Sequence, residues 1–328
     1  MLFKLLDIKT VLFNIIVFFN IIVLFGCLIG INANNIFIKK YDRVCNVLSF
    51  SGGGSFGAVE VGILKGIMPN SNYDIITGIS AGALNAGLLS YFNTGKLDDF
   101  NKGINFLINT YTNLKTPDVY NRDILDIRKE WSYYSTAPLR KTINTITSSL
   151  TYYPDYKNQI TLIGSTNINT GVLDIFNINQ YSKSDLTEIL MASSAIPFVF
   201  PPNNINSSTY VDGGVVSNQI LIGLNKKIKC EYYNITYITP SKTLYPINSI
   251  DSFSDYTKRL IKVLKASFDD QFSILKGLKC EKPTGKIYYY YSDDAILNKY
   301  SILDMDHGAE LIEIGSKYIN LETFDYCL

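Results

Sequence analysis

The sequence predicts an α/β fold built on a mainly parallel central sheet, preceded by a membrane-directed helix. Two observations predict the sheet. Residues 44–50 (VCNVLSF) and 73–77 both read as buried strands, and each runs through a Gly-containing turn into an apolar helix, at about 56–67 and 83–92. Two such units in succession imply parallel strands joined by right-handed crossovers, which brings both turns to the carboxyl edge of neighbouring strands. The third observation is the stretch from Val11 to Ile31, which has no charged residue and has the roughly 20-residue length of a bilayer-spanning helix.

Taken in order, 1–40 is an N-terminal anchor with its linker. An uncleaved anchor is preferred, because the apolar run exceeds a signal-peptide core and Gly30-Ile31-Asn32-Ala33 is a mediocre cleavage site. Lys4 and Lys9 on one side nearly balance Lys39, Lys40 and Arg43 on the other, so topology stays undecided and secretion after cleavage is the alternative. The core spans 41–240. Its first helix is stopped by Pro69-Asn70, and further helices are expected at 97–114, 139–150 and 186–194, the last broken by Pro197. Strands are expected at 160–163, 172–176, 209–211 and 235–239. A C-terminal extension, 241–328, should pack on the core with a long helix near 256–278, a strand at 287–291 and a last helix at 309–319. The four consecutive tyrosines, 288–291, suit a strand with aromatic rings on both faces. The basic stretch Lys258-Arg259-Lys262-Lys265 reads as a solvated helix face.

Composition narrows the chemistry. The chain has 328 residues with 30 Lys+Arg against 29 Asp+Glu, so it lacks the basic excess of a nucleic-acid binder. At 47% hydrophobic and 18% charged it is too apolar for a disordered chain. Five Cys without paired spacing and a single His do not make a metal site, and no cofactor is called for.

Three segments carry the candidate chemistry. Gly78-Ile79-Ser80-Ala81-Gly82 has the form of a nucleophile elbow: a sharp strand-to-helix turn needs flanking Gly78 and Gly82 so that the Ser80 hydroxyl projects from the sheet edge. Gly52-Gly53-Gly54-Ser55-Phe56-Gly57 satisfies a dinucleotide fingerprint, but the second strand lacks the terminal acid that would hold a ribose. These glycines better suit an oxyanion loop whose backbone amides, with that of Ala81, face a tetrahedral intermediate. Asp212, followed by Gly213 and Gly214, ends a short strand. An unperturbed Asp, with a pKa of about 3.9, is a feeble base; burial would raise it and make a Ser80–Asp212 dyad workable. The order Ser80, Asp212, His307 also fits a triad, although His307 sits in a polar segment that looks like the surface entry to the last helix.

With these residues in place, the chain resembles the patatin-like phospholipase family. The resemblance rests on the Gly loop, the elbow, Ala192-Ser193-Ser194-Ala195-Ile196-Pro197-Phe198-Val199-Phe200-Pro201-Pro202 and Tyr210-Val211-Asp212-Gly213-Gly214, in that order, with Ser135-Thr136-Ala137-Pro138-Leu139-Arg140 between them. It implies a Rossmann-like three-layer α/β core, Ser80 as nucleophile and Asp212 as base. It also implies cleavage of acyl esters of glycerophospholipids or related lipids without a metal, which the expected anchor would let the protein meet at a membrane. Two departures stand out: Phe56 replaces the family's usual Arg or Lys, and Ser217-Asn218-Gln219 follows the Asp-Gly motif where a Pro is usual. The first motivates an alternative, a catalytically inactive lipid-binding protein.

Overall fold

The computed structural model describes residues 39–67, 73–121, 131–151, 159–222, 224–241 and 280–327. The main strands are β1 (Val44–Phe50), β2 (Ile75–Ile79), β3 (Ile160–Asn167), β4 (Val172–Asn177), β5 (Asn203–Ile205), β6 (Ser208–Asp212), β7 (Tyr232–Ser241), β8 (Gly285–Ser292) and β9 (Asn320–Tyr326). The main helices are α1 (Gly57–Ile67), α2 (Ala81–Leu89), α3 (Leu97–Asn113), α4 (Ala137–Ser149), α5 (Lys183–Ser193) and α6 (Gly308–Lys317). All nine strands form one mixed sheet in the order β9-β8-β7-β1-β2-β3-β6-β5, with β4 also paired to β3. Strands β8, β7, β1, β2 and β3 are mutually parallel, as the two strand–turn–helix units require.

Strand β3 joins the two halves of the candidate site. Its first half pairs with β2, ending at Gly164 opposite Ile79, and its second half pairs with β6, starting at Ser165 opposite Asp212. Strand β4 runs along the other edge of β3 from Leu162 to Asn167, so β2 and β6 must share one edge and meet there end to end. The turn after β2 and the end of β6 are thereby brought to the same place.

The sheet is buried on both faces. Leu48, Phe50, Ile76 and Ile238 point into a core that takes in buried residues of all six main helices. Val47, Ile75, Ile79, Ile235 and Tyr237 point into a second core. Among the described residues, Ile220, Leu221, Leu224 and Ile228 pack on that second face.

Several elements differ from expectation. The second strand extends through Gly78 and Ile79 because both pair with β3, and α2 begins at Ala81, directly after Ser80. The segment after 240 contributes β8 and β9 to the same sheet. The spacing in β9 carries no strand signal: only Tyr326 is buried in NLETFDY, as befits an edge strand, and pairing with β8 and a bond from Tyr326 Oη to Leu221 O at 2.7 Å hold it. The tyrosine run lies in β8 as expected, Tyr289 stacking on Tyr237 while Tyr290 faces the other core. Disulfides join Cys45 to Cys230 and Cys280 to Cys327. No helix among the described residues is long and apolar enough to cross a membrane. The apolar stretch 11–31, Pro69-Asn70 and the helix expected at 256–278, with its basic residues, lie outside the described residues.

Candidate active site

Strand β2 delivers Ser80 into the turn before α2 with φ 56° and ψ −123°, a left-handed conformation rare for a residue with a side chain. Close packing makes this turn possible. A Cβ on Gly78 would lie 2.2 Å from Gly82 O, and one on Gly82 would lie 2.2 Å from Ser51 O, so both glycines are needed for proximity. The Gly82 amide donates to Ser51 O at 3.1 Å, locking the elbow against the Gly loop. The Ser80 amide donates to the Ser193 hydroxyl at 3.0 Å, which donates in turn to Gly164 O at 2.7 Å. In the sequence Ser193 stands out only as part of a resembling segment; a buried neutral hydroxyl on α5 has no signature of its own.

On the opposite side, β6 ends at Asp212. The Ser80 hydroxyl donates to Asp212 Oδ2 at 2.6 Å, and the Gly214 amide donates to Oδ1 at 2.8 Å. The Asp212 amide is held by Ala195 O at 2.9 Å, and Gly213 passes so near Gly164 O that a Cβ would come within 2.4 Å. Burial lifts the Asp212 pKa to about 6, against the opposing effect of the bonds from Ser80 and Gly214, which favour the carboxylate.

The Gly loop divides its amides. Gly52 donates to Asn218 Oδ1 at 2.9 Å, and Gly57 is turned back onto Gly54 O and Ser55 O, so these two expected oxyanion donors are already committed. The amides of Gly53, Gly54 and Ala81 have no acceptor among the described residues. Gly54 has φ +59°, the left-handed geometry that glycine tolerates. Phe56 is buried in the core beside α1, and its side chain is a packing group. Asn218, from the segment after the Asp-Gly motif, ties the loop to the turn that follows Asp212.

Beneath the loop, buried Glu60 accepts from the Ser51 amide at 2.9 Å and from Asn85 Nδ2 at 3.1 Å, while Tyr111 donates to Asn85 Oδ1 at 2.9 Å. A charged residue on the core face of α1 is the available sequence signal for this network. Arg140 pairs with Glu188 and bonds Asn203 Oδ1 at 2.9 Å, joining α4 to α5. His307 is half-exposed at the start of α6 beside Asp304, Glu310 and Tyr300, with no contact to Ser80 or Asp212.

Residues 48–222, more than half of the chain, match the family model of patatin-like phospholipases. The chain belongs to the patatin-like phospholipase family. A probable lipid hydrolase of Invertebrate iridescent virus 6 is 28% identical to this patatin-like chain over 205 residues, covering 56% of it and 69% of the viral protein. Among solved structures, VipD from Legionella pneumophila aligns with 92% of the chain and 73% of its own length at 12% identity and a TM-score of 0.35. A chain of the ExoU–SpcU complex from the type III secretion system of Pseudomonas aeruginosa aligns with 87% and 54%, at 13% identity and a TM-score of 0.24. At these TM-scores neither overlap bears on the site of the patatin-like chain.

Proposed function

We propose that this patatin-like protein is a lipid acyl hydrolase in which Ser80 is the nucleophile and Asp212 the base. The observation that carries the reading is the 2.6 Å bond from the Ser80 hydroxyl to a buried carboxylate whose pKa is lifted to about 6. Such a group is mostly ionised at neutral pH yet basic enough to accept a proton in the transition state. Ser80 Oγ attacks the ester carbonyl while Asp212 Oδ2 takes its proton. The amides of Gly53, Gly54 and Ala81, having no acceptor among the described residues, stabilise the oxyanion. Collapse expels the alcohol, which takes the proton from Asp212, and water activated by the same carboxylate then hydrolyses the acyl-enzyme. Ionised Asp212 and free Ser80 are regenerated.

Acyl-ester lipids are the proposed substrate class, in keeping with the family and with the viral relative's name. The uncharged stretch 11–31 supports working at a membrane. The buried Phe56, which leaves the loop without a basic side chain, favours a second reading as a lipid-binding protein without turnover. One experiment separates the two: acyl-ester hydrolysis by the detergent-solubilised full chain beside Ser80→Ala and Asp212→Asn. Turnover lost in both variants supports the dyad, and equal rates in all three proteins would remove it.

A further inference from the structure

Ser55, in the middle of the Gly loop, is fastened to a part of the chain far beyond the family match, which ends at residue 222. Its amide donates to Ile302 O at 2.8 Å and its hydroxyl to Ser301 O at 2.9 Å. Gly54 packs so tightly on the same segment that a Cβ would stand 2.2 Å from Ile302 O, while its φ of +59° turns the loop at that point. The backbone of 301–302 thus seats both Gly54 and Ser55.

That seat is itself immobilised. Tyr120 Oη donates to Leu303 O at 2.8 Å, and the Met305 amide donates to Thr116 Oγ1 at 3.2 Å. Helix α6 follows at Gly308 and meets α1 backbone to backbone: a Cβ on Gly62 would lie 2.2 Å from Ile312 O, and one on Gly315 would lie 2.2 Å from Val59 O. Since α1 starts at Gly57, the last residue of the loop, the loop is held from its own helix and from the segment packed on that helix. An oxyanion loop needs this rigidity, because amides displaced by even ~1 Å lose much of their value to the transition state.

We infer that Ser55 is a positioning residue: gripped by the carbonyls of Ser301 and Ile302, it aims the neighbouring Gly53 and Gly54 amides, and it makes the C-terminal segment a working part of the site. The inference rests on the hydrolase reading for its effect on rate, though not for the grip itself.

The test compares full-chain wild type, Ser55→Ala and Ser55→Thr in detergent. For a short-chain aryl ester, Ser55→Ala should lower kcat by about 10- to 100-fold at nearly constant KM, and fluorophosphonate labelling should slow by a similar factor. Hydrogen exchange should speed up at residues 53–56 and stay unchanged in α1 and α6, and Ser55→Thr, which keeps the hydroxyl, should restore rate and protection. Wild-type kcat and exchange in Ser55→Ala would overturn the inference, as would faster exchange spread across α1 and α6, the mark of general destabilisation. Should wild type neither turn over nor label, the hydrolase reading fails, and exchange at 53–56 in Ser55→Ala still decides the grip by itself.

Discussion

The Ser193 hydroxyl accepts a hydrogen bond from the Ser80 amide at 3.0 Å and donates one to Gly164 O at 2.7 Å. One buried side chain thereby fastens the strained elbow to β3. Ser193→Ala would leave a buried amide and a buried carbonyl without that partner, at a cost of about 1–3 kcal/mol. The expected outcome is a lower urea midpoint together with slower fluorophosphonate labelling of Ser80, read in parallel by circular dichroism and gel fluorescence.

On the proposed hydrolase reading, Asp212 sets the pH dependence of turnover. With its pKa near 6, kcat/KM for a neutral ester should rise with unit slope up to about pH 6 and then level off. Stability should move the other way. The folded carboxyl holds its proton more tightly than the unfolded one at about 3.9, so stability falls as pH rises between roughly 4 and 6. The ionised, buried group then costs about 2–3 kcal/mol at neutral pH. Asp212→Asn should accordingly be inactive but no less stable than wild type at pH 7.5, and its urea midpoint should vary less between pH 4.5 and 7.5. A variant as pH-sensitive as wild type would show that another group governs the window.

Gly82→Ala puts a methyl 2.2 Å from Ser51 O and 2.7 Å from the Phe50 Cβ. Neither can retreat, being in or next to β1, so the elbow must shift. Loss of at least about 1–3 kcal/mol and of most Ser80 labelling is expected, measured by thermal melting and active-site titration.

The Cys45–Cys230 bridge spans 185 residues of sequence and the Cys280–Cys327 bridge encloses the segment carrying β8, α6 and β9. Replacing either pair with Ser should cost about 2–4 kcal/mol, visible as a lower midpoint that added reductant does not change further at that bridge. Intact mass before and after reduction counts the bonds and non-reduced peptide mapping assigns the pairs, and a protein carrying both bonds is expected to mature in an oxidising compartment.

His307→Ala should retain full activity, because its ring contacts lie with Tyr300, Asp304 and Glu310. Steady-state rates on the same ester would show it, and a large loss would reinstate a histidine base.

The sequence by itself determined the local pieces: β1 running into the Gly loop, β2 running into the elbow, and Asp212 at the end of a strand ahead of two glycines. Each is legible because strand periodicity and the need for glycine are properties of adjacent residues. Only the tertiary structure decided how they meet. Strands β2 and β6 abut along one edge of β3, at Gly164 and Ser165, and this antiparallel return from 132 residues away puts the carboxylate on the hydroxyl. The same holds for Ser193, Asn218 and the 301–302 carbonyls, and for edge strand β9: neutral hydroxyls, amides and backbone oxygens carry no pattern along the chain. They acquire their roles only when distant segments bury them together and leave each donor a single acceptor.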